Sequence, residues 1–167
     1  KAIAHSIDRE AIVETVLQGR GEVATGLEPP DQLGSEIGEE AARSLLAGLT
    51  TYDYDLEAAK TELAASSVPE GFSTELTYPN SIPEMGTAAL AIAAELEKIG
   101  IELSVTEKPI EEWISTIGTG EYGLSDMSYT STTGDAAEIP GWLLGDPNPA
   151  QYSNAEVQDL IAQSNAQ

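Results

Sequence analysis

Apolar and polar residues follow two distinct periods along this chain. In residues 73–79, Thr74, Leu76 and Tyr78 alternate with Ser73, Glu75 and Thr77, the two-residue period of a strand. Residues 84–99 change to helical spacing. Met85, Ala89, Ile92, Leu96 and Ile99 keep to one face, and Gly100 ends the run. Ile101, Leu103 and Val105 then alternate as a second strand. Strand 73–79, helix 84–99 and strand 101–106 make a βαβ unit, which predicts a parallel pair with a right-handed crossover.

The flanking segments read less strongly. Residues 2–18 are helical in pattern, with Asp8 able to cap a stripe of Ile12, Val13, Val16 and Leu17, and Gly19 as a stop. Residues 19–53 show little periodicity, and Pro29, Pro30 and several glycines predict a long excursion over the surface. Asp55 caps a helix over 56–66. Pro109 opens another, in which Ile110, Trp113, Ile114 and Ile117 fall at i, i+3, i+4 and i+7, so Trp113 reads as core. Ser153 or Asn154 caps a last helix with Val157, Leu160 and Ile161 on its apolar side.

Residues 121–145 carry the candidate chemistry. A strand is expected over 124–129. It breaks into small polar residues from Thr130 to Asp135, and an apolar helix-like segment resumes at 139–144. Open α/β sheets place ligands where a strand opens into a loop and re-enters a helix, because both ends offer unpaired backbone groups. An ordinary strand–helix connection has the same local pattern.

Composition narrows the function classes. The 167 residues include 7 basic and 29 acidic ones, a formal charge of −22. Such a surface repels nucleic acid and anionic membrane, and it reads first as a solubility or salt adaptation. Apolar residues make up 41% but aromatics only 5%, so the core must rest on Ala, Ile, Leu and Val. The absence of cysteine excludes disulfides, thiol catalysis and thiolate metal sites. No apolar run approaches the roughly 20 residues of a membrane span. His5, the only histidine, reads as a packed or hydrogen-bonded residue. Glu36, Glu39 and Glu40 lack the spacing of a calcium loop and read as a solvated face. No Gly-rich phosphate loop or metal-ligand spacing appears, so no cofactor is expected. A hydrolase is disfavoured, because the lone histidine is far in sequence from the Ser/Thr loop.

Four segments, in order, resemble the last lobe of the family 5 extracellular solute-binding proteins, receptors of ATP-driven importers for peptides, nickel complexes and related solutes. KAIAHSIDREAIVETVLQGRG is similar to the family's xAIAyAIDRexiv helix. YDLEAAKTELAASSVPEGF, ELEKIGIELSV and YSNAEVQDLIAQS match three further family patterns. The resemblance implies an α/β fold, with residues 1–167 as one lobe of a periplasmic-binding-protein type II clamp and a central mixed or parallel sheet flanked by helices. It also implies a piece of a longer chain, an exported protein that is periplasmic or lipid-anchored at the surface, and a permease as partner. A sensing module of the same fold is the alternative.

In the family, the strand corresponding to 124–129 ends in a tryptophan that lines the cleft, and the residues just after it do the same. Tyr129 stands at that position, followed by Thr130, Ser131 and Thr132, and these four are the expected ligand-binding residues. Thr132 replaces the aspartate with which many peptide-binding members hold a ligand ammonium, and a hydroxyl cannot supply that charge-assisted bond. The wall therefore suits a neutral or weakly charged polar solute: a sugar, a capped peptide or a metal chelate. Asp135 falls where the family has the Asp of a Gly-Asp-Pro turn. Ser67 replaces a helix-ending glycine, and a left-handed cap there would cost about 1 kcal/mol.

Self-repulsion at a charge of −22 is relieved by counterions. The melting temperature is expected to rise from low to molar salt, and differential scanning fluorimetry across that range checks it; a flat profile would count against charge as a limit on stability.

Overall fold

In the computed structural model, which describes residues 1–120 and 122–165, the alternating segments form the parallel pair that their spacing predicts. Strand β1 (Phe72–Pro79) pairs with β2 (Ile101–Lys108) over its full length, from Phe72 opposite Ile101 to Pro79 opposite Lys108. Helix α6 (Pro83–Glu97) joins them and lays Ala89 and Leu96 against the sheet. Helix α5 (Leu56–Ala64) adds Ala59 and Leu63 to the same core, which contains Leu76, Ile99, Ile101 and Leu103. Aliphatic and alanine side chains thus make the core, as the scarcity of aromatics requires.

A third strand lies parallel on the other side of β1, in the order β2-β1-β3. It is shorter than expected: β3 is Leu124–Ser125, not residues 124–129. Beyond Leu124 that face continues with Asp126 and Ser128, so the segment has no apolar stripe to hold it on the sheet. One buried oxygen of Asp126 has no hydrogen-bond partner, and burial raises its pKa.

Two compact units divide the chain. The first comprises Lys1–Val23, Thr51–Ile117 and Glu121–Met127; the second comprises Ala24–Thr50, Gly118–Gly120 and Ser128–Gln167. In the first, the expected 2–18 helix is split into α1 (Ala2–Ser6) and α2 (Arg9–Thr15). Ile7 is extended, and the Asp8 carboxylate accepts from the Ala11 N–H at 2.9 Å, so the capping residue starts a new helix. Arg9 bridges the break, donating to the Ala4 and Tyr52 carbonyls at 3.0 Å. His5 is structural: its Nδ1 lies 2.9 Å from the Asp53 carbonyl, and its ring meets Tyr52 edge-on. Asp55 caps α5 through the Glu57 and Ala58 amides. That helix ends on Ala65 in a right-handed conformation, and Ser67 is not left-handed, so the anticipated strain does not arise. On α7 (Ile110–Thr119), Ile117 is buried and Trp113 half-buried, but Ile114 is 58% exposed, so the apolar stripe is only partly covered.

The second unit corrects the reading of residues 19–53. They hold α3 (Pro30–Ile37) and α4 (Glu39–Ala47) rather than a continuous loop. Pro30 sits in the first turn of α3, where its missing N–H costs nothing, and Ala42 and Leu46 of α4 are buried. The unit also contains α8 (Glu138–Leu144) and α9 (Ala155–Ser164), the latter capped by Asn154, which accepts from the Val157 N–H at 3.2 Å. No helix among the described residues is long and apolar enough to cross a membrane.

Gly71 and Gly100 precede the two long strands, both at φ +88°. A Cβ on Gly71 would stand 1.9 Å from the Gly100 carbonyl oxygen, whereas one on Gly100 would meet nothing nearer than 3.7 Å. Gly71→Ala is expected to cost about 2–4 kcal/mol, strain plus overlap, and Gly100→Ala about 1–2 kcal/mol of conformational strain alone. Urea unfolding of both variants checks the ranking.

Candidate functional site

The hydroxyl-rich loop, residues 129–133, belongs to the second unit and is bound into it by a residue of α8. Tyr129 is 38% exposed, Thr130 and Thr132 are exposed, and Ser131 is half-buried. The four residues expected to bind ligand thus share one loop, with Ser131 turned inward. The Tyr129 ring stacks on Trp142 of α8, with centroids 5.1 Å apart and planes 28° off parallel.

Glu138, the first residue of α8, organises the loop. Its Oε1 accepts from the Tyr129 hydroxyl at 2.9 Å, the Thr132 hydroxyl at 2.8 Å and the Thr132 N–H at 3.0 Å. Its Oε2 accepts from the hydroxyls of Ser131 at 2.7 Å and Thr133 at 2.6 Å, and from the Thr133 N–H at 2.9 Å. The Thr132 N–H is shared between both oxygens. These bonds, led by that of the Thr133 hydroxyl, hold the Glu138 carboxyl well below the usual carboxylate range. The same anion, bonded to the phenol, raises the pKa of Tyr129.

Local sequence explains the closure. Gly134 takes φ +76°, a left-handed turn that reverses the chain between the threonines and α8. Asp135 supports the start of α8: its side chain accepts from the Ala137 N–H at 2.7 Å, and its carbonyl from the Glu138 N–H at 3.1 Å. Gln32 of α3 braces the loop, donating to the Ser131 hydroxyl and the Asp135 carbonyl, both at 3.0 Å.

A second carboxylate is Glu28, only 7% exposed, with neither oxygen hydrogen-bonded. Burial raises its pKa, and the nearby Glu138 and Asp135 charges add to the effect. The Ile139 N–H, which faces it outside hydrogen-bond geometry, offsets part of the cost. Among the described residues no group of three or more His, Asp or Glu is placed to hold a metal ion. Glu36, Glu39 and Glu40 are exposed, as a solvated face should be.

Sequence reasoning found the loop but not Glu138, Trp142, Gln32 or Glu28. Glu138 carried a signal, an acid in the first turn of a helix five residues after a hydroxyl run. Gln32 and Glu28 lie in a stretch without periodicity and carried none.

Comparison with known proteins places this arrangement. The sequence model for bacterial extracellular solute-binding proteins, family 5 (middle region), matches residues 1–151. Heme-binding protein A of Haemophilus influenzae is 27% identical over 172 residues, spanning 96% of this chain and 29% of that protein. The dipeptide-binding protein of Escherichia coli is 27% identical over 158 residues, spanning 92% and 28%. The structure of HbpA2 from Haemophilus parasuis superposes with a TM-score of 0.84 at 27% identity, covering 97% of this chain and 32% of that one. The chain therefore spans about three tenths of the length of the curated relatives it matches. The fold is that of type II periplasmic binding proteins.

Glu28 gains a proton more readily in the folded state than in the unfolded chain. Stability is therefore lost as the pH rises from the unfolded value through the raised folded one, and none is lost below the unfolded value. Glu28→Gln is expected to raise the melting temperature at about pH 7.5 and to do so less at about pH 3, below the ordinary glutamate range, where the folded and unfolded carboxyls are both mostly protonated. Thermal melts of variant and wild type at the two pH values check it; an equal shift at both would show that Glu28 is not the titrating group.

Proposed function

Because this chain belongs to the family 5 bacterial extracellular solute-binding proteins, we propose that it forms one wall of the ligand cleft in the solute-capturing component of an ABC importer. In this reading residues 1–167 are one α/β lobe, and the opposing lobe belongs to other sequence of the same protein. The loaded receptor docks on a membrane permease. Members of the family are extracellular, and we extend that to an exported protein, periplasmic or lipid-anchored. It acts by binding and closure, with no chemical step.

The observation that carries the proposal is the loop at residues 129–132. The resemblance puts it at the family's cleft-lining position, and it presents Tyr129, Thr130 and Thr132 to solvent on a hydrogen-bonded support. Identity of 27% to both a heme-binding and a dipeptide-binding protein leaves the choice of solute to the loop's own chemistry. With Thr132 in place of a carboxylate, that chemistry favours a neutral or weakly charged polar solute, held by hydroxyls and the Tyr129 ring rather than by an open charge, and it is the likeness to a dipeptide-binding protein that makes a peptide the first candidate.

The test is a thermal-shift screen of the full-length receptor against peptides, sugars and metal complexes, followed by calorimetry on the best ligand. Thr132→Ala is expected to weaken that ligand about 3- to 10-fold, the loss of one hydrogen bond. Unchanged affinity in Thr132→Ala and in Tyr129→Ala would remove the loop from the site.

A further inference from the structure

Four of the loop's five hydroxyl protons are already spent, and this fixes what Tyr129, Thr132 and Thr133 can recognise; the Thr130 hydroxyl alone stays free to turn. A hydroxyl has one proton and two lone pairs, and an ionised carboxylate only accepts. The protons of Tyr129, Ser131, Thr132 and Thr133 are all committed to Glu138, as are the backbone N–H groups of Thr132 and Thr133. Such a convergence of amides and hydroxyls is a ready-made anion site. Here Glu138 fills it from within.

What remains open is the acceptor side. Both lone pairs of the Thr132 hydroxyl and those of the Tyr129 oxygen take no partner from the loop, and both residues are exposed. Thr133 has one lone pair used by the Asp135 N–H at 3.2 Å. Ser131 is saturated, since its oxygen also accepts from Gln32 and from the Gly134 N–H at 3.0 Å each. Hydroxyls that donate to an anion become better acceptors, because successive bonds polarise one another. The Glu138 carboxylate itself, with three donors at one oxygen and four at the other, has no lone pair left for a ligand.

We infer that Tyr129, Thr132 and Thr133 present a face of hydrogen-bond acceptors whose polarity is set by Glu138, so that this face selects a ligand group bearing donors (an ammonium, an amide N–H or a sugar hydroxyl) and disfavours a carboxylate or phosphate. Glu138 is a positioning residue in this scheme. It acts through the hydroxyls that it orients, and Thr132 and Tyr129 make the contact. The chain's charge of −22 pushes in the same direction. The inference rests on the loop being a ligand wall, as proposed above.

The experiment uses the full-length receptor and three matched probes: Leu-Leu amide with a free ammonium, its N-acetyl form and its N-succinyl form. Calorimetry is expected to show the succinyl probe binding at least about tenfold more weakly than the other two. Glu138→Gln is expected to narrow that gap, because a carboxamide N–H₂ forces at least one hydroxyl to turn its proton outward. Succinyl binding as tight as the others in wild type, or an unchanged gap in Glu138→Gln, would overturn the inference. A second arm needs no ligand. In a receptor that keeps Trp142 as its single tryptophan, with Trp113 and any tryptophan of the rest of the protein changed to Phe, Trp142 emission reports ionisation of the stacked Tyr129, whose midpoint is expected to fall in Glu138→Gln. Equal midpoints would overturn the orientation of the hydroxyls. If none of the probes binds while the Tyr129 midpoint shifts, the peptide reading is what fails, and selection among peptide end groups falls with it.

Discussion

Six donors from four residues turn toward the two oxygens of Glu138, and the conformation of residues 129–133 follows from that convergence. A run of threonine and serine has little apolar surface to bury and no ladder to join. Left alone it would sample many conformations at a backbone cost of about 1–2 kcal/mol per residue fixed. A carboxylate at the amino end of a helix is held in place by its own chain and by the favourable helix dipole. It therefore acts as a fixed point to which the loop's donors attach. Tyr129 is tied twice, by its hydroxyl to Glu138 and by its ring to Trp142 one turn further along α8. Order at the candidate site is thus made largely within residues 129–142, from hydrogen bonds and one ring stack rather than from burial, with Gln32 as a distant brace.

The contrast with the β1–α6–β2 segment is instructive. There the organising force is burial: Leu96 and Ile101 are fully inside, and the strands keep register over eight paired positions. The third strand shows where that force gives out. Leu124 still finds Leu76 as a neighbour, but Asp126 has only a buried oxygen without a partner to offer the sheet, and regular pairing stops. The chain gives up β structure at the point where its side chains change from apolar to hydrogen-bonding.

This difference also decides what could be read from residues alone. Period-two and period-3.6 patterns are signals of burial, so the βαβ unit was legible, and the caps at Asp8, Asp55 and, as one of two neighbouring candidates, Asn154 were legible because each places a side-chain oxygen before an apolar run. Helices α3 and α4 were not. Their prolines and glycines read as loop, and only Ala42 and Leu46 mark a buried side. The expected strand to residue 129 failed because Leu124 suggested alternation that Asp126 and Ser128 do not sustain. At the site, the hydroxyl run was visible, but its meaning depended on a reversal at Gly134 that brings Glu138 back over residues 131–133. Side-chain recognition across a turn has no period, and it leaves no trace in a pattern of apolar positions.

Ser131 shows one consequence of this construction. Its oxygen takes a hydrogen bond from Gln32, a residue 99 positions earlier in a different helix, which also holds the Asp135 carbonyl. Loop pose and helix α3 are therefore coupled through a single side-chain amide. Evolution can retune this surface without altering any of the residues on it: a substitution at position 32 would remove one brace from each end of the turn at once. Two members of such a lineage could share every letter from 129 to 138 and still differ in what they hold.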